Sequence, residues 1–218
     1  MANRPVFEVS LDSKLFVRKN IEFQWFSGFA VSQKRKCINS LHQNYLSHNK
    51  DKNILEISSK SENELGVKLS AFNLMIHKNE KSFSVELAYQ SGKIFEYGGP
   101  YIDLLEKISI ATKKDERLKN SGHIIGFSFY DETFPINPPT YFYNWLYINA
   151  LNDNDDLNEQ LMNYDAFTDI VFNPQKSLNC QAAAAAIYVS LRRQKVLQQA
   201  LKDKLSFLKI VYSNFLQS

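Results

Sequence analysis

FSVELAYQSGKIF, residues 83–95, is the stretch on which the architecture turns. Ser84 suits the N-cap position, because its hydroxyl can satisfy an amide that the first helical turn leaves open. A helix is predicted from there to about Phe95, stopping at Glu96-Tyr97-Gly98-Gly99-Pro100. On that helix Glu86, Gln90 and Lys93 stand at i, i+4 and i+7, within about 60° of arc at 3.6 residues per turn. This polar stripe borders Leu87 and Ile94, about 80–100° away. A carboxylate and an amine aligned beside apolar residues suit a shallow pocket. Burial there raises carboxyl pKa values and lowers lysine ones, while mutual attraction opposes both shifts. On spacing alone a purely structural role is favoured: Glu86 suits the positive end of the helix dipole, and Lys93 can be solvated.

Outward from this stretch the pattern alternates between short strands and helices. Ile21, Phe23 and Trp25 alternate with Glu22 and Gln24, the period of a half-buried strand. Ser32–Ser47 reads as a helix, with Val31, Ile38, Leu41 and Tyr45 at helical spacing, and Ile54–Ile57 as a short strand. Leu69–Ile76 is a short apolar segment closed by the polar tract His77–Lys81. Tyr101–Leu118 is predicted to be an amphipathic helix with Ile102, Leu105, Ile108 and Ala111 on one side, and Ile124–Tyr130 a strand. Pro135, Pro138 and Pro139 mark an extended loop. Helices are expected near Thr140–Leu151 and Asp155–Tyr164, and a last long one from Cys180 to about Leu208, capped by Asn179. Its Ala182–Ala186 run allows close approach of another backbone or of a ligand. Helices dominate and no βαβ alternation appears, so the class is α+β, a single mainly helical domain with a small sheet.

Composition agrees with a folded globular chain. Of 218 residues 44% are hydrophobic and 13% aromatic, with 16 Phe and 11 Tyr, which is ample for a core. Seven Gly and six Pro leave no room for a long flexible linker. Cys37 and Cys180 lie far apart, and the four histidines show no ligand spacing, so neither a metal site nor a redox pair is expected. The N-terminus has no apolar core of a signal peptide, and no run approaches the ~20 residues that span a bilayer. A cytoplasmic location without membrane contact follows as an expectation. The net charge of +3 does not by itself argue for nucleic acid. Two tracts are one-sided. Leu151–Asn173 carries six acidic residues and no Lys or Arg, and Arg192–Lys209 carries six basic residues against Asp203. Each fits a solvated face, and the second also fits a phosphate contact. Nucleotide-binding glycine loops, serine-nucleophile motifs and zinc-protease motifs are all absent.

Glu86-x-x-x-Gln90-x-x-Lys93-x-Phe95 resembles the E-x-x-x-Q-x-x-K-F helix of the NADAR (NAD- and ADP-ribose-associated) superfamily. Leu69-Ser70-Ala71-Phe72-Asn73 is similar to its L-S-x-F segment, and Tyr164-Asp165-Ala166-Phe167 to its acidic-aromatic loop. Asn179 precedes the last helix as the family's Asn does. Ile57–Ser61, Gly98–Tyr101, Trp145–Ala150 and Ile187–Arg193 resemble the branch encoded beside DNA ADP-ribosyltransferase toxins. The resemblance divides the chain into an N-terminal extension (1–64), a superfamily core (65–193) and a helical tail (194–218) of one domain. Where members nearer the riboflavin-pathway hydrolases have Trp-Gly, this chain has Thr168-Asp169, which argues against that substrate.

The resemblance implies an antitoxin that removes ADP-ribose from guanine bases of DNA, expected to be single-stranded, without a cofactor. Glu86 and Lys93 are then the catalytic pair. Ser70, Phe72, Asn73, Tyr89, Gln90, Asp165, Phe167, Asp169 and Asn179 are expected to bind substrate. Arg192 or Lys68, with the start of the last helix, is a candidate for the pyrophosphate. Glu86 would move protons or stabilise the charge developing at ribose C1. Lys93, if unprotonated, has a second route, attack on C1 to form a Schiff base. Two competing functions remain open on the sequence: hydrolysis of a small N-glycoside or ADP-ribose metabolite, and non-catalytic binding of the cognate toxin.

Overall fold

The computed structural model describes residues 1–106, 112 and 114–216. The chain is α+β, and it forms two compact units, Met1–Ser70 with Asn154–Ser218, and Ala71–Asp153.

The first unit is organised by a sheet of order β2-β1-β9-β3. Strands β1 (Ala2–Val9) and β2 (Phe16–Phe23) pair antiparallel from Ala2↔Phe23 to Val9↔Phe16. Strand β9 (Ala166–Thr168) runs antiparallel to β1 and parallel to β3 (Ile54–Glu56). Two of these strands go beyond the sequence-based expectations. Pro5 breaks the alternation of β1 and has no N–H. The ladder accepts it because β9 reaches only Phe7 and Glu8 on that side. The resemblance makes Tyr164–Phe167 a loop; the strand at Ala166–Thr168 is too short to show a period, and its strand character comes from two distant partners. Consecutive Val6 and Phe7 are both buried, so both sheet faces are covered. Helix α1 (Val31–Leu46) packs Cys37, Ile38, Leu41 and Tyr45 with Val6, Phe23 and Ala166. Helix α2 (Glu64–Lys68) is capped by Asn63, whose side chain accepts from the Leu65 amide at 2.9 Å.

The second unit holds a two-stranded hairpin and a sheet of order β6-β7-β8. Strands β4 (Met75–Lys78) and β5 (Lys81–Ser84) enclose Asn79 and Glu80, both at positive φ as a tight hairpin turn requires. The sequence showed only a polar tract there, because Asn-Glu lacks the glycine of the usual signal. Helix α3 (Val85–Ser91) begins as predicted, with the Ser84 hydroxyl accepting from the Leu87 amide. It ends one turn early. Gly92 closes the helix, and β6 (Lys93–Phe95) pairs with β7 (Ile124–Phe129), which pairs with β8 (Glu132–Phe134). The predicted helix over Tyr101–Leu118 starts instead as a 3-10 turn, Ile102–Glu106, and helix α4 occupies Arg117–Asn120. Ile108 and Ala111 lie outside the described residues. Helix α5 (Tyr141–Asn152) is buried nearly all round, which fits its Tyr-, Phe- and Leu-rich sequence.

Back in the first unit, α6 (Asp155–Leu161) leads to β9. The expected long last helix is divided into α7 (Gln181–Arg193), α8 (Leu197–Leu201), α9 (Lys204–Val211) and α10 (Ser213–Leu216). Lys195 takes positive φ at the first break, and Asp203 caps α9 at the second, its carboxylate accepting from the Ser206 amide at 2.7 Å. Neither interrupts the apolar period, so both escaped the sequence. Asn179 does not cap α7; that position falls to Cys180, which makes no side-chain cap bond. Ala182, Ala184, Ala185 and Ala186 are fully buried, so the small run serves close packing.

Gly92 permits the helix-to-strand change. A Cβ there would lie 2.6 Å from the Ser128 carbonyl and 2.8 Å from the Phe142 ring. The Gly92 carbonyl also accepts from the Ser128 amide at 2.7 Å. Gly92→Ala is expected to destabilise by about 1–3 kcal/mol, as overpacking does, lowering the thermal midpoint by several degrees. An unchanged midpoint would show that β6 and β7 separate at no cost.

Candidate functional site

Ending α3 at Ser91 puts Lys93 on a strand, yet it still meets the helix. Gln90 Nε2 donates to Glu86 Oε1 at 2.8 Å, and Lys93 Nζ donates to Gln90 Oε1 at 2.7 Å. With an acceptor on one side and a donor on the other, the amide has one workable orientation. Glu86 and Gln90 are buried, and Lys93 is half-buried. Glu86 lies in the first turn of α3, where the helix dipole favours a carboxylate. Tyr89 supplies an aromatic wall. Its ring centroid is 4.9 Å from Lys93 Nζ, a cation–π distance, and 5.6, 6.0 and 5.5 Å from the Phe127, Phe142 and Tyr143 rings.

Phe72 and Asn73 are held against the start of α3. The Ala71 carbonyl accepts from the Glu86 amide at 2.8 Å, and the Leu74 carbonyl from the Val85 amide at 2.9 Å. Asn73 is exposed and Phe72 half-buried. Ser70 ends the first unit. Its hydroxyl is buried and has no hydrogen-bond partner among the described residues. Such an orphan costs about 1–3 kcal/mol unless something supplies the bond. A cavity of about 150 Å³ in the second unit, with His77, Lys78, Phe129, Trp145 and Asn149 in its wall, does not include the Glu86–Lys93 set.

In the first unit the remaining expected residues have structural work. Asp165 pairs with Arg193 at 3.0 Å and accepts from the Asn53 amide at 3.0 Å. Phe167 is fully buried in β9, so no base can stack on it in this conformation; its ring belongs to the core. Asn179 is half-buried in the loop before α7. Of the phosphate candidates, Lys68 pairs with Glu64 at 2.8 Å and Arg192 with Glu159 at 2.6 Å. The acidic and basic tracts thus meet each other at Arg192 and Arg193.

Asp169 sits in a network that the sequence did not reveal. Its Oδ1 accepts from the Val171 and Phe172 amides at 3.1 Å each. Burial, and then the neighbouring charge of Glu56, push its carboxyl pKa up to about 8. Glu56 is itself buried in β3 and also shifted upward by burial. Its carboxylate accepts from Ser58 Oγ at 2.7 Å, Thr168 Oγ1 at 2.6 Å and the Ile170 amide at 2.8 Å. Thr168 in turn meets His42 Nε2 at 2.8 Å, and burial lowers the pKa of that imidazole to about 4. Gln181 donates to the Ile57 carbonyl at 2.7 Å and ties the start of α7 to the residue that follows β3. One signal was available: Glu56 stands in the apolar run Ile54-Leu55-Glu56-Ile57. Among the described residues no three His, Cys, Asp or Glu side chains gather as a metal site would require. No described helix is long and apolar enough to cross a membrane.

No curated protein matches the chain. The family model of the DarT1-associated NADAR antitoxin matches residues 2–218, so the chain belongs to that family, an antitoxin associated with a DarT toxin.

Proposed function

We propose that this DarT1-associated NADAR antitoxin is an N-glycosidase that removes ADP-ribose from guanine bases of DNA, reversing the modification that its toxin makes. The observation that carries this reading is the Glu86–Gln90–Lys93 chain of hydrogen bonds beside the Tyr89 ring. Cleavage breaks the bond from ribose C1 to the guanine exocyclic nitrogen. Water supplies a hydroxyl to C1 and a proton to the departing nitrogen. The difficulties are a poor leaving group and positive charge growing at C1.

Glu86 answers both, moving the proton or facing the growing charge from a buried position. Gln90 positions it, its amide donating on one side and accepting on the other. Lys93 brings the amine within reach of the same locus. Tyr89 offers an aromatic face, and the exposed Asn73 offers an amide to ribose or base.

The direct test is incubation with a short single-stranded DNA ADP-ribosylated on guanine. Return of unmodified DNA and free ADP-ribose is expected. No cleavage by a folded sample, with toxin neutralisation that survives Glu86→Gln, would replace this reading with a toxin-binding antitoxin. Turnover of small ADP-ribose N-glycosides alone would move the substrate to metabolites.

A further inference from the structure

We propose that the surface formed by Arg4, Trp25–Phe29 and Lys34–Lys36 in the first unit binds the single-stranded DNA that carries the modified base. Between Glu22 and Asp51 the chain has no carboxylate, while Lys34, Arg35 and Lys36 follow one another in the first half of α1. The first turn of α1 has no acidic residue, and its N-cap, Ala30, makes no side-chain bond. No carboxylate therefore meets the positive end of the α1 dipole, and the three cations begin just after its first turn. None of the three forms an ion pair among the described residues. Lys19, Lys68, Lys81, Arg117, Arg192 and Arg193 have carboxylate partners; what sets Lys34–Lys36 apart is that three such cations are consecutive in a segment without a carboxylate.

Aromatic rings are interleaved with these cations. Lys34 Nζ lies 4.4 Å and Arg4 Cζ 5.5 Å from the Trp25 ring centroid, and Lys36 Nζ lies 6.0 Å from that of Phe26. Phe29 is wholly exposed. The segment is clipped to α1: the Gln24 amide donates to Ser40 Oγ at 3.0 Å, and the Phe26 amide to Cys37 Sγ at 3.2 Å. Arg4, Lys34 and Lys36 thus stand beside the rings of this one clipped segment. Positive charge for phosphates, beside the exposed Phe29 and the half-buried Trp25 and Phe26 for bases, is the combination that holds single strands without reading their sequence. The surface rests on the proposed DNA substrate and adds to it a strand-holding site separate from the Glu86 helix.

The test is fluorescence anisotropy of an unmodified oligodeoxynucleotide of about 12 nucleotides against the full chain over a range of salt. Replacing Lys34, Arg35 and Lys36 together with Ala is expected to weaken binding at least tenfold. It should also flatten the slope of log K against log salt by about 2, near 0.7 for each single-strand phosphate that is no longer neutralised. Phe29→Ala is expected to weaken binding about tenfold with the slope unchanged. Wild-type affinity and slope in the triple variant would overturn the proposal, as would loss of binding to anionic phospholipid vesicles with no DNA binding by the wild type. Release of ADP-ribose from the modified free nucleoside should proceed at the wild-type rate in the triple variant. If the wild type binds DNA through this face yet hydrolyses neither substrate, the proposed reaction fails and the surface stands.

Discussion

Glu86→Gln is expected to slow release of ADP-ribose from modified DNA by about 10²–10⁴-fold, the usual worth of a positioned acid–base group. The fold should survive, because Gln is nearly isosteric and Glu86 stands on a helix whose cap is supplied by Ser84. The decrease is expected in kcat rather than in KM, since the carboxylate acts on charge that develops only in the transition state. Comparable kinetics for wild type and variant, with matching thermal midpoints, would remove Glu86 from the chemistry.

Lys93→Ala separates two routes. In a Schiff-base mechanism the ribose ring opens, the neutral amine attacks C1, the guanine nitrogen departs with a proton, and water then releases the adduct. Borohydride present during turnover would reduce that adduct and leave ADP-ribose covalently on the wild type and not on Lys93→Ala. No adduct under turnover would exclude this route and leave Lys93 as a cation positioned by Gln90 and the Tyr89 ring.

What the sequence made legible follows from what is local. Helix α1 and the start of α3 are written in period and cap, and the structure places both as expected. Strands β1 and β9 are not local facts. Pro5 disguises the first, and the second is a strand only because β1 and β3 come to it from far along the chain. The Glu86–Gln90–Lys93 grouping was legible from spacing on a continuous helix, but the geometry arises differently. Gly92 ends the helix and Lys93 reaches back from a strand. The Glu56–Asp169 network was hidden for a simpler reason: Glu56 and the Ile170 amide it binds are 114 positions apart. A short-range pattern cannot report such a pairing. The charged tracts were visible, but their mutual pairing at Arg192 and Arg193 was not.

Asp169→Asn is expected to abolish a fall in stability that the wild type shows between about pH 4 and pH 8. The carboxyl titrates near 8 in the folded chain and near 3.9 when unfolded. Between those values the folded state holds more protons than the unfolded state, so stability falls as pH rises. The full loss is present above pH 8, and it is recovered as pH drops toward 4. The limiting slope is on the order of 1 kcal/mol per pH unit, shared by the coupled pair, since Glu56 disfavours a second negative charge at the same place. In a chain of this size each kcal/mol moves the thermal midpoint by about 2–4 °C. The variant should therefore exceed the wild type by several degrees at pH 8 and match it near pH 4. Glu56→Gln should not mimic this gain, because its carboxylate accepts from two hydroxyls and an amide that an amide side chain satisfies less well. Parallel midpoint curves for wild type and Asp169→Asn would mean that Asp169 is ionised in the folded protein. The proton would then reside on Glu56, and the stabilised variant would be Glu56→Gln.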